Sequence, residues 1–261
     1  MSGDLANQLK ARGAVFAAVV AMILAPSAFA ASPNNVTEEF HKTVPLNATG
    51  RVSLENVNGN VEITGWDKNE VQIDAVKSAR DQERLEEAKI ELDGSGDAVR
   101  IRTRYPEGHT NNNPASVHYT LHVPAGAQLD KISLVNGSLE VAQVQGEVDA
   151  SLVNGKLTAH DLAGRTKLST VNGSSNVEFR SLTNVSEIKI SAVNGSINLV
   201  LPASPNAEIS ASSVNGSIKT DFPIQVQSGF TGRRLTGTLG SGGTRIDLSN
   251  VNGSTHIGPG A

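Results

Sequence analysis

Two histidines offer the clearest opportunity for metal chemistry in this sequence. His118 and His122 share one face of a predicted strand, opposite an apolar face. In an extended strand, four residues at about 3.3 Å each separate their Cβ atoms by about 13 Å. One ion cannot bridge that distance, so a ligand role would need a partner strand. We expect two exposed histidines on a polar face and predict no metal site.

Four charged residues could act as catalytic groups, because polysaccharide-cleaving enzymes use carboxylates that converge in a groove. They are Glu147, Asp149, Arg165 and Lys167. Glu147 precedes Arg165 by eighteen residues, and Asp149 precedes Lys167 by the same number. If that spacing is one turn of a coil, each pair lies side by side on one outer face. We therefore favour ion pairs of roughly 0.2–1 kcal/mol each over catalysis.

Other reactive motifs are missing or weak. The chain has no cysteine, which excludes disulfides, thiolate metal sites and cysteine nucleophiles. Calcium-binding β-rolls also use nonapeptides, yet no acidic residue recurs beside the glycines here, and residues 240–247 (GSGGTRID) are a single weak match. Neither a Gly-x-Ser-x-Gly turn nor a phosphate-binding Gly-Lys-Ser/Thr sequence occurs. We predict no cofactor and no catalytic residue.

The elements that position these residues follow a nine-residue repeat. Glycines recur every nine positions, at Gly137, Gly146, Gly155, Gly164 and Gly173. In each unit position 1 is apolar, positions 5 and 7 are apolar or small, and positions 4 and 6 are polar or charged. This alternation predicts a short strand with one buried face. The glycine at position 3, often preceded by asparagine, predicts a corner with positive φ.

Alternate units carry Val-Asn-Gly, so the full repeat is eighteen residues, with two strands and two corners. One such coil cannot bury its apolar face alone and must stack on copies of itself. The sequence predicts an all-β fold, a flattened β-solenoid or β-helix with rungs of about 18–22 residues, spaced about 4.7–4.9 Å apart. The corner asparagines would then form a hydrogen-bonded column. The predicted structural corners are Asn58, Gly59, Asn136, Gly137, Asn154, Gly155, Asn172, Gly173, Asn194, Gly195, Asn215, Gly216, Asn252 and Gly253.

Three regions are expected along the chain. Residues 1–30 are typical of a signal peptide, with a basic start, an apolar run and an Ala-x-Ala site ending at Ala30. An uncleaved anchor helix is the alternative, but the apolar run is shorter than the roughly 20 residues that span a bilayer. Residues 31–125 are expected to form an N-terminal β region with one helix at about 78–89, and residues 126–261 to form the solenoid repeats.

The repeat becomes irregular at both ends. One copy, around Asn58, lies far from the main array in the sequence. Towards the C-terminus the spacing is 22 residues from Asn172 to Asn194 and 21 from Asn194 to Asn215, and we expect the insertions opposite the asparagine column. The last unit begins at Val251. We expect this final strand to be an open edge, able to pair with another chain.

Composition excludes some classes of function. Aromatic residues make up 3% of the 261 residues, which suits a thin core of small aliphatic side chains and not a sugar cleft lined by rings. The net charge of −4 does not fit the basic surface of a nucleic-acid-binding protein. After the signal peptide, no segment is long and apolar enough for an integral membrane span.

Several segments together resemble a bacterial family of putative adhesins of unknown function. They are LENVNGNVEITGWDKNEVQI (residues 54–73), the charged helix, the hairpin into RIRTRYP (100–106), the strand ending in VPAGAQLD (123–130) and the VNGS corners. The resemblance covers roughly residue 40 to the end. It implies a β-solenoid-like fold and an envelope or extracellular setting, and it implies no catalytic residues.

We expect a non-enzymatic exported β-solenoid, an adhesin or envelope scaffold that binds a protein or a cell-envelope polysaccharide. Its location would be periplasmic, at the cell surface or secreted. One alternative is a polysaccharide-active enzyme on a β-helix, which needs two carboxylates, or a carboxylate and a base, within about 10 Å in one groove. The other is an accessory protein in envelope-stress signalling. Nucleic acid is not expected as a partner.

Overall fold

The computed structural model of the chain describes residues 35–106, 114–224, 226–228 and 232–260, and strands carry nearly all the regular structure of these residues. The expected signal peptide, residues 1–30, lies outside the described residues. Asn34–Ala261 form one compact unit, and the expected boundary between residues 125 and 126 falls inside it. The only helix of the described residues is six residues long. The expected all-β class is therefore confirmed.

The elements follow one another along the chain as fourteen strands and one helix. They are β1 (Val36–Asn58), β2 (Val61–Trp66), β3 (Glu70–Ala79), α1 (Gln82–Glu87), β4 (Lys89–Arg104), β5 (Ser116–Pro124), β6 (Gln128–Asn136), β7 (Leu139–Ala142), β8 (Val148–His160), β9 (Thr166–Glu178), β10 (Glu187–Leu201), β11 (Ala207–Thr220), β12 (Val226–Ser228), β13 (Arg233–Leu239) and β14 (Thr244–Pro259), all within the described residues.

Parallel pairing joins the repeat units in register. β8 pairs with β6 before its Val-Asn-Gly corner and with β7 after it. β8 then pairs with β9, and β9 with β10, both before and after the Val-Asn-Gly corner of each strand. Repeat positions 5 and 7 are buried in all five units, from Leu139 to Val177. The predicted one-sided strands are confirmed, because the next rung covers the backbone while the side chains at these positions fill the core.

The sheet also closes on itself at its N-terminal end, which the repeat does not predict. The pairing order β6-β1-β3-β5-β2-β7 is joined at both ends by β8, so seven strands form a closed ring and the other strands lie outside it. Closure follows from the length of β1. Its part Val36–Pro45 pairs antiparallel with β3, and its part Arg51–Asn58 pairs parallel with β6. A plain stack of rungs therefore does not describe this end of the molecule.

The distant repeat copy is the first rung of the array. β1 and β2 meet at the corner of Asn58 and pair in parallel with β6 and β7. The predicted helix at 78–89 is confirmed but shorter, since residues 78 and 79 continue β3 and Lys89 begins β4. Asp81 caps its start by accepting from the Arg84 backbone N–H over 3.0 Å. The buried ammonium of Lys77 donates to the carbonyls of Leu85 and Ala88 at its end.

The last rung is not an edge, contrary to the expectation. β14 lies between β10 and β11 and pairs in parallel with both. The sheet ends instead with the antiparallel strands β13 and β12. The turn from β13 into β14 crosses the start of β11 at Gly240, where φ is 57° and a Cβ would overlap the side-chain oxygen of Asn206. β14 fits this position because it carries a complete Val-Asn-Gly-Ser corner that matches the rungs on both sides.

Small aliphatic side chains form one continuous core along the stack. Tyr119 and Phe179 are the largest fully buried side chains. The Tyr119 hydroxyl shares a hydrogen bond of 2.8 Å with Thr103, and burial raises its pKa. Within the described ranges, no helix has the length and apolar character required to cross a membrane.

Candidate functional site

The structure brings the seven predicted corner asparagines into one column. In stacking order they are Asn58, Asn136, Asn154, Asn172, Asn194, Asn252 and Asn215. Each of the six asparagines after Asn58 donates from its side-chain amide to the amide oxygen of the preceding asparagine in this order, over 2.8–3.2 Å. Because one N–H of each of these six amides is used within the column, the other remains for a ligand on the exposed side.

The corner glycines let neighbouring rungs approach closely enough for this column. Gly155 has φ of 143°, and a Cβ there would overlap the carbonyl oxygen of Gly137. The same overlap with a backbone oxygen of an adjacent strand holds for each of the other predicted corner glycines, Gly59, Gly137, Gly173, Gly195, Gly216 and Gly253. A side chain at these positions would force two rungs apart.

A row of exposed valines runs beside the asparagine column. Six of the valines, one before each corner asparagine, are 37–40% exposed, and Val214 is 57% exposed. They are Val57, Val135, Val153, Val171, Val193, Val251 and Val214. We call the seven valines together with the seven asparagines the corner ridge. Among the described residues, these valines are the only large hydrophobic side chains that are exposed.

The sequence contains a signal for the exposure of these valines, which the apolar character of repeat position 1 does not reveal. Position 9 of the preceding unit is buried, as Leu152 and Thr170 show. Since successive strand residues point to opposite faces, position 1 after a buried position 9 must point outward. Val153 and Val171 therefore face solvent, although they are as apolar as the core residues.

Charged residues lie on the outer face of the strand segments that precede the corners. Arg165 donates to Glu147 over 3.0 Å, and Lys167 donates to Asp149 over 2.9 Å. Both predicted ion pairs are confirmed. Arg165 also lies 3.7 Å from Glu187 on the next rung, and the hydrogen bond that Arg165 donates to Glu147 raises the pKa of Arg165. These four residues neutralise each other on an exposed surface, which is the structural role that the eighteen-residue spacing favours.

The two histidines are half-buried, which corrects the expectation that both are exposed. β5 lies between β2 and β3, so neighbouring strands cover its polar face. His118 accepts from the Asn60 backbone N–H over 3.2 Å, and burial lowers its pKa. The ring of His122 lies 5.3 Å from that of Trp66. Within the described parts of the chain, no group of three or more His, Asp or Glu residues is placed to hold a metal ion.

A cleft of about 430 Å³ lies between the corners opposite the ridge. Three connections form it, between β9 and β10, between β10 and β11, and between β13 and β14. Leu182 and Pro205 supply apolar lining, and Thr183, Ser204 and Asn206 supply polar groups. The insertions of the longer rungs lie here, away from the asparagine column, as the sequence predicts. The cleft is of a size that binds small molecules.

Comparison with known proteins matches most of the chain to one family. The family model described as Toastrack DUF4097 matches residues 37–258. No curated protein matches the chain.

Several solved structures are similar. A putative cell adhesion protein from Clostridium sporogenes shares 14% identity at a TM-score of 0.51, over 86% of this chain and 100% of that one. A putative adhesin from Parabacteroides merdae shares 10% identity at a TM-score of 0.34, over 86% of this chain and 97% of that one. A putative adhesin from Bacteroides fragilis shares 12% identity at a TM-score of 0.30, over 87% and 98%. The likeness to the Clostridium sporogenes protein, at 14% identity and a TM-score of 0.51, concerns the fold alone.

Proposed function

The chain belongs to the Toastrack DUF4097 family, and we propose that it is a non-enzymatic exported β-solenoid that serves as an adhesin or envelope scaffold. The parallel, in-register pairing from β6 to β11 supports the solenoid description, since each rung repeats the corner of its neighbour. The signal-peptide pattern of residues 1–30 supports export to the periplasm, the cell surface or the medium.

The observation that carries this proposal is the corner ridge. Its seven valines extend over six rung intervals, about 29 Å at 4.8 Å each. A contiguous apolar strip bordered by polar side chains marks an interaction surface on a soluble protein. Because the same valine and amide recur on every rung, the ridge suits an extended partner that makes the same weak contact many times. A protein or a polysaccharide of the cell envelope has that form.

The ridge can be tested by replacing Val153, Val171 and Val193 together with threonine. Threonine keeps the branched shape and the strand preference of valine but substitutes a hydroxyl for one methyl group. Loss of three apolar contacts is expected to weaken binding to isolated cell envelopes by about tenfold or more. The measurement is co-sedimentation of the purified mature protein with envelopes at increasing protein concentration.

A matched control replaces the same three valines with isoleucine, which keeps the ridge apolar and should leave binding within about twofold of wild type. Circular dichroism and thermal unfolding of both variants show whether the stack is intact. Equal binding by the threonine variant and the wild type would reject the ridge as the contact surface. Absence of any binding by the wild type, or hydrolysis of an envelope polymer, would reject the adhesin or scaffold role.

A further inference from the structure

Three arginines lie side by side on the outer face of β4 and β1. We call Arg51, Arg100 and Arg102 the arginine strip. On β4 the arginines alternate with the buried Val99 and Ile101, so both point away from the core. The parallel register of β1 and β4 sets Arg51 at the start of this row. Arg51 pairs with Ala98, two residues before Arg100, and residues two apart in a strand are about 6.6 Å apart, so the three Cα positions follow one another along the face.

The arginine strip makes none of the direct ion pairs that the neighbouring cations make. Among the described residues, none of its three guanidinium groups makes an ion pair, whereas the adjacent cations do. Lys131 donates to Glu55 over 2.7 Å, and Arg104 donates to Glu91 over 3.2 Å. Further along the same face, Arg165 and Lys167 are paired as described above. The arginines of the strip are therefore not tied up in direct ion pairs, although Glu55 lies opposite Arg102 in the register of β1 and β4.

The strip borders a groove of about 370 Å³. Arg51, Arg100 and Ser53 line the groove, together with the carboxylates of Asp93 and Asp130. Neither carboxylate comes within 4.0 Å of a guanidinium nitrogen. The groove is thus polar, and an incoming anion would meet the arginines without first displacing a bound carboxylate.

Two further observations on Arg102 and its surroundings favour an anion near the strip. The Nε of the half-buried Arg102 is enclosed and has no hydrogen-bond partner among the described residues, so this one nitrogen has lost hydration without compensation. The hydrogen bond from Lys131 lowers the pKa of Glu55, and the charges of Arg102 and Arg104 lower it further. A carboxylate on this part of the surface is therefore stabilised in its charged form.

We propose that the arginine strip binds a linear acidic polysaccharide through the carboxylates of its sugar units. This inference rests on the proposed function, since it names the class of envelope polymer that the protein recognises. Arginine presents a planar fork that fits a carboxylate with two hydrogen bonds. A row of such forks fits charges repeated along a polymer better than it fits one compact anion.

A membrane surface suits the groove less well than a polysaccharide does. Proteins that lie on membranes combine cations with large apolar side chains that enter the acyl boundary. The described lining of the groove includes no exposed large apolar side chain. The serine and arginine side chains offer hydrogen bonds instead, which is what hydroxyl and carboxylate groups of a sugar polymer require.

The test measures binding of polygalacturonate to the mature protein by isothermal titration calorimetry. The double variant Arg51→Gln/Arg100→Gln removes two exposed charges and should weaken binding by about tenfold or more, since a hydrogen bond to a charged group contributes that much. The matched control Arg165→Gln/Lys167→Gln removes two paired cations from the same face and should change binding by less than about twofold. Asp130→Asn should act in the opposite direction and tighten binding, because it removes a repelling charge from the groove.

Added salt should weaken wild-type binding, and neutral dextran should not bind at the groove. Equal losses in the two double variants would show non-specific attraction and overturn the proposal, as would weaker binding by Asp130→Asn. Arginine-dependent binding to anionic phospholipid vesicles without binding to polygalacturonate would also overturn it. If the wild type binds envelopes through the corner ridge but does not bind polygalacturonate, this inference fails while the proposed function stands.

Discussion

At the scale of single residues, the corner glycines set how closely the rungs can stack. Each of them brings its Cα against a backbone oxygen of the adjacent rung, as Gly155 does against Gly137. At every corner glycine a Cβ would overlap the neighbouring backbone. At Gly155, as at four of the other corners, there is a second cost, because a positive φ disfavours L residues.

Replacing Gly155 with alanine is expected to lower the free energy of unfolding by more than about 2 kcal/mol, because both costs apply. Gly96 provides the matched control. Its φ is 72°, yet a Cβ there meets nothing within 4 Å, so Gly96→Ala should lower the free energy by only about 1 kcal/mol. Urea unfolding followed by circular dichroism measures both. Equal effects of the two substitutions would contradict a role of Gly155 in rung spacing.

Residue types alone predict the corners but not the surroundings of every side chain. Asn-Gly predicts a turn with positive φ, and Gly137 and Gly155 adopt it. The burial of His118 and His122 could not be read from β5 itself, because it depends on β2 and β3 pairing on either side. The alternation of a strand assigns faces, and only its neighbours decide how much of the polar face is covered.

At the scale of the elements, the eighteen-residue spacing places residues that are far apart in the sequence side by side on adjacent rungs. β8 and β9 pair in register along both arms, so side chains eighteen apart touch on the outer face. The ion pairs of this face are exposed, and their contribution to stability is accordingly small.

A double-mutant cycle on Glu147 and Arg165 should give a coupling free energy of about 0.2–1 kcal/mol that shrinks as salt is added. The cycle uses Glu147→Gln, Arg165→Gln and the double variant, with urea unfolding as the measurement. Glu147 with Lys189 is a control pair, since the structure records no contact between these two described residues. A coupling of Glu147 with Lys189 as large as that with Arg165 would contradict direct pairing.

The sequence predicts pairing within the regular array but not the order of the later rungs. From Gly137 to Gly173 the short connections leave one choice of neighbour. The rungs of β10, β11 and β14 all carry the same Val-Asn-Gly-Ser corner, so each could pair with either of the others. The turn at Gly240 and Ser241 contacts Asn206 at the start of β11, and this contact has no periodic signal in the sequence.

At the scale of the whole molecule, β14 connects the two halves of the C-terminal array. It pairs with β10 along one edge and with β11 along the other. The hydroxyls of Ser191 and Ser249 lie 3.0 Å apart on neighbouring rungs, whereas Ser212 lies beyond Ser249 on the far side.

Because the chain has no cysteine, pairs of introduced cysteines can report this order. Ser191→Cys/Ser249→Cys should form a disulfide on mild oxidation, since adjacent rungs place Cα atoms about 4.8 Å apart. Ser191→Cys/Ser212→Cys should not, because two rung intervals exceed the roughly 7 Å limit for a disulfide. Non-reducing electrophoresis and mass spectrometry of digests read the result, with Ser133→Cys/Ser151→Cys as a positive control. A disulfide between positions 191 and 212 but not between 191 and 249 would show that β11 lies directly on β10.

The central position of β14 has a consequence for biosynthesis. A ribosome produces β11 before β14, so the gap between β10 and β11 has to stay open until Thr244–Pro259 has emerged, or any interim contact of β10 with β11 has to break again. From β8 to β10 the order of the rungs in the stack follows the order of the chain, and the next rung in the stack is β14, which follows β11 in the chain. A chain interrupted before Thr244 would leave one edge of β10 and one edge of β11 without their native partner.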